Sequence, residues 1–193
     1  MTAARRHRRP DVTTVELVGG VEKRSLVIVD HDPAWPRTYA EHEERIRRAL
    51  GPAAVQVEHI GSTSVPGLAA KPIIDVLVTV EDITAEEDHV DLLLDAGYQL
   101  RVREPGHRLV RTPARDVHVH LLEVGDQAAA DYLLFRDRLR AGPADRRLYE
   151  DTKRALVDQD WADMNAYAEA KTDVVSAIKD RARRSTSDLS PGR

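Results

Sequence analysis

The chain has 193 residues, a formal net charge of −4 and no cysteine. That length suits one domain with a sizeable core, the charge balance argues against broad nucleic-acid binding, and the lack of thiols excludes disulfides, cysteine-ligated zinc and thiol catalysis. The arginine-rich start, Arg5 to Pro10, runs into a polar, interrupted stretch, and no apolar run approaches the ~18 residues that span a bilayer, so a cytoplasmic protein with no membrane partner is expected.

Residues 1–23 lack apolar periodicity and include Gly19-Gly20, which reads as a mobile tail holding one short strand between Val12 and Val18. Residues 185–193 read as a second, disordered tail, leaving a single domain over 24–184. Within it, Ser25–Asp30 reads as a strand. Asp32 suits an N-cap and Pro33 the first turn of a helix that Gly51 closes. Trp35, Tyr39, His42, Ile46 and Leu50 mark one face of that helix at spacings of three and four. "VQVEHI" reads as a second strand, and "IIDVLVTV" as a third, apolar enough to be buried on both faces. Thr84 with Glu87 has the spacing of a capping box ahead of a helix that Gly97 ends. Strands follow at Tyr98–Val102, at His107–Thr112 and in "DVHVHLLEV". From Ala128 the pattern is helical, broken at Gly142-Pro143, and continues to about Arg184. Strands interleaved early with helices, then helices alone, predict an α+β domain built on a mixed sheet.

The chemistry concentrates in "HIGSTSVPGLAAKPIIDVLVTV", His59 to Val80. It is not a Walker A loop: five residues separate Gly61 from Gly67, and Lys71 is followed by Pro72. Nor does Ser62 or Ser64 sit in a Gly-x-Ser-x-Gly elbow. What remains is a strand, a small-residue turn and a strand carrying Asp75. Gly61 allows close backbone approach to a ligand, and Ser62, Thr63 and Ser64 offer amides and hydroxyls suited to phosphate, although ordinary turns are rich in the same residues. Asp75, in an apolar run, is costly to bury unless it binds a metal or pairs with a cation, Lys71 being near in sequence. His118 and His120 share one face of their strand by alternation, a usable metal-ligand spacing, although a histidine pair taken alone more often marks a solvated sheet face. In the C-terminal helices, Arg136 lies beside the stripe Tyr132, Phe135, Leu139. Lys153 lies within Tyr149, Lys153, Leu156, and Lys171 within Tyr167, Lys171, Val174, Ile178. Such cations either snorkel to water or face something anionic.

"EHIGSTSVPGLAAKPIIDVLV" resembles the signature of the GrpB family, which is placed in the nucleotidyltransferase superfamily. The likeness extends to "DHDPAWPRTYAEHEERI", "HVHLLEVG", "FRDRLRAGPADRRLYEDTK" and "NAYAEAKTD", covering roughly residues 24–182. The resemblance implies a nucleotidyltransferase-like mixed sheet flanked by helices, with a Gly-Ser turn holding nucleotide phosphates. It also implies paired acids two apart on the next strand, often with a third acid on a neighbouring strand, binding divalent metal. Carried over by position, Gly61 and Ser62 match the turn and Asp75 the first acid, while Leu77 stands where the second should be. His118 or His120 lies about where the third acid would be. One aspartate with two histidines favours Mn²⁺ or Zn²⁺ over Mg²⁺, or a site that binds nucleotide without transferring it. Leu77→Asp would restore the missing acid. The family also occurs fused to dephospho-coenzyme A kinase. The expectation is therefore a metal-assisted nucleotidyltransferase-like protein that binds a nucleoside triphosphate and acts on a small molecule. Gly61, Ser62, Thr63, Ser64, Lys71, Arg136, Lys153 and Lys171 would serve the phosphates, Asp75, His118 and His120 the metal, and Asp75 the chemistry. The alternative is a degenerate nucleotide-binding module.

Overall fold

Six strands pair in the order β1-β4-β5-β6-β3-β2: β1 Glu16–Leu17, β2 Gln56–Ile60, β3 Ile74–Val80, β4 Gln99–Glu104, β5 His107–Arg111 and β6 Val117–Glu123. The computed structural model describes residues 10–22, 27–157, 159 and 169–187. Among the described residues every pairing is antiparallel except β3 with β6, whose parallel register sets Asp75 against His118 and Leu77 against His120. The protein is thus α+β, with a mixed sheet flanked by helices α1 Trp35–Leu50, α2 Val90–Asp95, α3 Gln127–Ala141, α4 Pro143–Val157 and α5 Thr172–Ser187.

Alternation sorts the strands onto two faces. One face meets α1 and α2, where Trp35, Ile46, Leu50, Val90 and Leu93 pack on Val57, Val76, Val78, Val119 and Leu121 in a continuous apolar core. The predicted α1 face holds, including His42, whose Nδ1 lies 2.7 Å from the Tyr98 hydroxyl. The other face carries Asp75, Leu77, His118 and His120 and lies under the C-terminal helices. There the apolar packing is split into two smaller clusters. Ile60, Leu77, Leu122 and Ala129 pack with Leu133 of α3. Val65, Leu68, Leu139, Tyr149 and Ile178 join the β2–β3 loop to α3, α4 and α5. Asp145 of α4 accepts from Arg138 of α3 at 2.6 Å and from Arg181 of α5 at 2.8 Å, tying the three helices together. Position 77, where the resemblance asks for an acid, is thus filled by a fully buried leucine beneath α3.

Several local expectations are revised. Of Ser25–Asp30, Ser25 and Leu26 lie outside the described residues, and Val29 forms only a bridge to Ala70, with both backbone bonds at 2.9 Å. Helix α1 begins at Trp35 with Pro36 in its first turn, and Asp32 accepts from the Ala34 amide at 2.8 Å instead of capping it directly. The capping box does not form. Thr84 turns back to Asp82, residues Glu86–Asp88 make a 3₁₀ turn, and α2 starts only at Val90. Glu86, in that turn, accepts from Arg103 at 2.9 Å and from the buried Arg108 at 2.6 Å.

Residues 10–22, expected as part of a tail, run along the sheet edge. Asp11 meets Arg108 at 2.6 Å, Glu16 meets Arg103 at 2.9 Å and Glu22 meets Arg111 at 2.7 Å. The Arg111 hydrogen bonds pull the Glu22 carboxyl down to about 2 against the opposing effect of burial. Acids, which apolar periodicity does not register, hold this segment. Residues 1–9 and 188–193 lie outside the described residues, and α5 continues through Ser187.

Candidate functional site

β2 ends at Ile60, and the chain turns at Gly61 with φ 70° and ψ −174°, a left-handed conformation that side chains resist. Space makes the same demand, because a Cβ at Gly61 would collide with the Asp75 carboxylate. The turn therefore lies directly against the Asp75 side chain. Ser62–Ser64 then form a 3₁₀ turn. Thr63 and Ser64 are buried, and their hydroxyls brace the loop from within: Thr63 donates to the Ile73 carbonyl at 3.0 Å and Ser64 to the Gly61 carbonyl at 2.6 Å. His59 Nε2 lies 3.1 Å from the Thr63 hydroxyl, and its ring stacks on Tyr39 at 4.6 Å. Burial pushes the His59 imidazole down to about 4, aided by the charges of Arg140 and Arg136 and opposed by Asp75.

Ser62 faces α4. Lys153 Nζ donates to the Ser62 hydroxyl at 3.1 Å and to the Ala69 carbonyl, and lies 4.7 Å from the centre of the Tyr149 ring. Burial pushes the Lys153 amine down to about 7, and the charge of Lys171 works in the same direction. Lys171, in the turn before α5, is also lowered by burial, with the nearby Asp75 carboxylate pulling the other way. Lys153 thus meets the Gly-Ser turn through Ser62, and Lys171 feels the charge of Asp75. Tyr167 of the predicted stripe lies outside the described residues, while Val174 and Ile178 pack as that stripe requires.

Asp75, His118 and His120 come together as the sequence suggests: one potential ligand atom from each lies within 4.8 Å of the other two. His118 Nδ1 stands 3.7 Å and His120 Nε2 3.5 Å from the same oxygen, Asp75 Oδ1. Two ligands each about 2.1 Å from a tetrahedral ion are about 3.4 Å apart, so these gaps are close to the edges of a metal polyhedron. The donor set fits a borderline divalent ion. Burial by itself would raise the Asp75 carboxyl, but contact with His120 and the charges His120, His118 and His59 carry when protonated outweigh it and hold the carboxyl below its usual value. Tyr132 of α3 stands at the exposed rim, its ring 5.6 Å from His120, and burial with the charges of Asp75 and Glu104 pushes its hydroxyl up to about 12.

One expected residue is engaged by neighbouring side chains. Arg136 Nη1 donates to Glu58 at 2.7 Å and to the His59 carbonyl at 3.1 Å, and its Nε donates to Asp137 at 2.7 Å, clamping α3 to β2. Lys71 lies in the loop between the Val29–Ala70 bridge and β3, four residues before Asp75. The sequence reading missed His107 and Glu104. His107 Nε2 lies 3.1 Å from His120 Nδ1, and its Nδ1 lies 2.5 Å from Glu104. Burial and the neighbouring His120 lower the His107 imidazole, against the pull of Glu104. Their only cue was a Glu-x-x-His spacing across Pro105-Gly106, which means little until β5 is known to lie beside β6.

A family profile described as "GrpB protein" matches residues 25–181. The chain is 63% identical over 182 residues to a UPF0157 protein of Streptomyces coelicolor, covering 94% of this chain and 97% of that one. The dephospho-CoA kinase of Mycolicibacterium paratuberculosis matches at 31% identity over 180 residues, 78% of this chain and 44% of that protein. The crystal structure of the conserved protein GrpB from Enterococcus faecalis superposes with a TM-score of 0.71 at 34% identity, over 83% of this chain and 99% of that one. Among the described residues no helix is long and apolar enough to cross a membrane.

Proposed function

The chain belongs to the GrpB family, and from that footing we propose that it binds a nucleoside triphosphate with a divalent metal at the β2–β3 turn and acts as a nucleotidyltransferase on a small molecule. One observation carries the reading: Asp75 lies directly against the Gly61 turn, with two imidazoles converging on one of its oxygens and Lys153 bonded to Ser62 of the same turn. Asp75, His118 and His120 would hold the ion, which when bound neutralises and polarises phosphoryl oxygens. Gly61 lets the triphosphate approach the backbone, the Ser62 hydroxyl and Lys153 hold its non-bridging oxygens, and Lys171 offsets charge near Asp75. A phosphate beside Lys153 would raise its lowered pKa, so binding near pH 8 takes up a proton.

The test is a melting-temperature series with each nucleoside triphosphate, alone and with Zn²⁺, Mn²⁺ or Mg²⁺, followed by an assay for pyrophosphate release. A ligand that binds the native state must raise its stability, so triphosphate with metal should raise the melting temperature more than either alone. No shift with any triphosphate would overturn the proposal. A second reading, a module that binds nucleotide without transferring it, is favoured by the burial of Leu77 where a second acid would stand. It predicts the same shift with no pyrophosphate.

A further inference from the structure

The Asp75 cluster continues across the sheet. Glu104, His107, His120 and Asp75 occupy the adjacent strands β4, β5, β6 and β3 in that spatial order. His107 Nδ1 is 2.5 Å from Glu104 Oε1, His107 Nε2 is 3.1 Å from His120 Nδ1, and His120 Nε2 is 3.5 Å from Asp75 Oδ1. The two imidazole planes lie within 16° of each other, with centroids 5.3 Å apart. The bonded nitrogens are far closer than the centroids, so the rings meet edge to edge through nitrogen rather than face to face.

Hydrogen-bond direction along this chain is dictated by its outer end. An ionised carboxylate only accepts, so His107 donates from Nδ1 to Glu104. A neutral imidazole has a single N–H, which leaves His107 Nε2 as an acceptor. The hydrogen between the rings must then belong to His120 Nδ1. His120 is left with its Nε2 lone pair directed at the Asp75 carboxylate. Two lone-pair atoms facing each other at that distance repel unless a cation lies between them, and an ion held by both relieves the repulsion. An added proton is the other cation that fits.

We infer that Glu104 and His107 are positioning residues for the metal site, fixing His120 in the tautomer that presents Nε2 to the ion beside Asp75. The inference rests on the metal reading proposed above and adds to it two residues that touch neither the ion nor the nucleotide. Such outer partners orient a ligating histidine and raise its basicity, and their loss typically costs about 10- to 100-fold in metal affinity.

The experiment has a metal-free arm and a metal arm. In the metal-free protein at a pH where the rings are neutral, ¹⁵N spectra should show His120 protonated on Nδ1. In His107→Phe, which removes the acceptor, His120 should move largely to the Nε2-protonated form, and Zn²⁺ affinity measured by calorimetry should fall about 10- to 100-fold. His107→Gln keeps a carbonyl acceptor and should retain the Nδ1 form and most of the affinity. Should His107→Phe fail to fold, the 40% exposed Glu104 side chain allows Glu104→Ala, which should loosen the tautomer and weaken Zn²⁺ several-fold. An Nε2-protonated His120 in the unmodified protein would overturn the inference by itself, as would unchanged Zn²⁺ affinity in both His107→Phe and Glu104→Ala. Nδ1 protonation with no divalent ion binding would instead overturn the metal reading, and with it the positioning role of Glu104 and His107.

Discussion

The two faces of the sheet solve opposite problems. Against α1 and α2, β3 and β6 offer valines and a leucine, and the helices answer with Trp35, Ile46, Leu50, Val90 and Leu93 in one unbroken core. Against the C-terminal helices, the same strands offer Asp75, His118 and His120, and the apolar contacts break into two clusters with charged groups between them. The first face holds the fold together. The second spends part of that stability on groups that are costly to bury, Lys153 above all. That division teaches where substitutions should unfold the protein and where they should disarm it, since strained or poorly solvated groups gather at functional sites.

The strongest challenge to the contrast is Leu77→Asp, which puts a charge into the Ile60, Leu122 and Ala129 cluster on the second face. It should cost about 4 kcal/mol or more in urea denaturation, because an unpaired buried charge is among the most destabilising changes. The missing acid therefore cannot be restored without loss. Retention of full stability together with tighter Mg²⁺ binding would show that this part of the second face behaves as site rather than core.

Ile46→Ala on the first face should cost about 2–5 kcal/mol, the range for truncating a buried aliphatic side chain, and leave Zn²⁺ affinity unchanged in the remaining folded protein. Loss of Zn²⁺ affinity would mean that the faces are coupled.

Lys153→Met should act the other way. The folded Lys153 has its pKa lowered from 10.5 to about 7, so between those values the unfolded chain binds a proton that the folded one has released. The stability of the unmodified protein therefore rises with pH across that window, and the burial penalty is complete below about 7. The methionine variant escapes the penalty. Its gain should be on the order of a few kcal/mol near pH 6, shrinking to little above about pH 10.5, while triphosphate affinity falls. Paired thermal melts at several pH values measure it, and a gain independent of pH would mean that Lys153 is not buried as a strained cation.

Asp75→Asn should have the smallest effect on folding, within about 1 kcal/mol, since the amide keeps the shape next to Gly61. It should nevertheless abolish Zn²⁺ binding in calorimetry. In the unmodified protein, metal binding should weaken as pH falls, because protonated imidazoles cannot ligate.

Much of this was legible in the order of residues. Local periodicity is enough to show that α1 presents Trp35, Ile46 and Leu50 together, that β3 is a buried run broken by Asp75, and that His118 and His120 share a face. Gly61 and Ser62 were likewise legible as a turn next to that strand, and the resemblance carried by His59 to Val80 named the family. What alternation cannot supply is a neighbour. The role of Arg136 depended on Glu58 lying across from α3. Residues 10–22, read as a tail with one short strand, do hold a strand at Glu16–Leu17 and lie on the sheet edge because their acids meet Arg103, Arg108 and Arg111 on two other strands. Glu104 and His107 became part of the site only when β5 paired with β6 in the register that sets Leu109 opposite His120. A side chain's face is fixed by the two-residue repeat of its own strand, but its partners are fixed by strand order and register. Those are settled by packing between segments far apart in the chain, which decided that four strands would place Glu104, His107, His120 and Asp75 in one line.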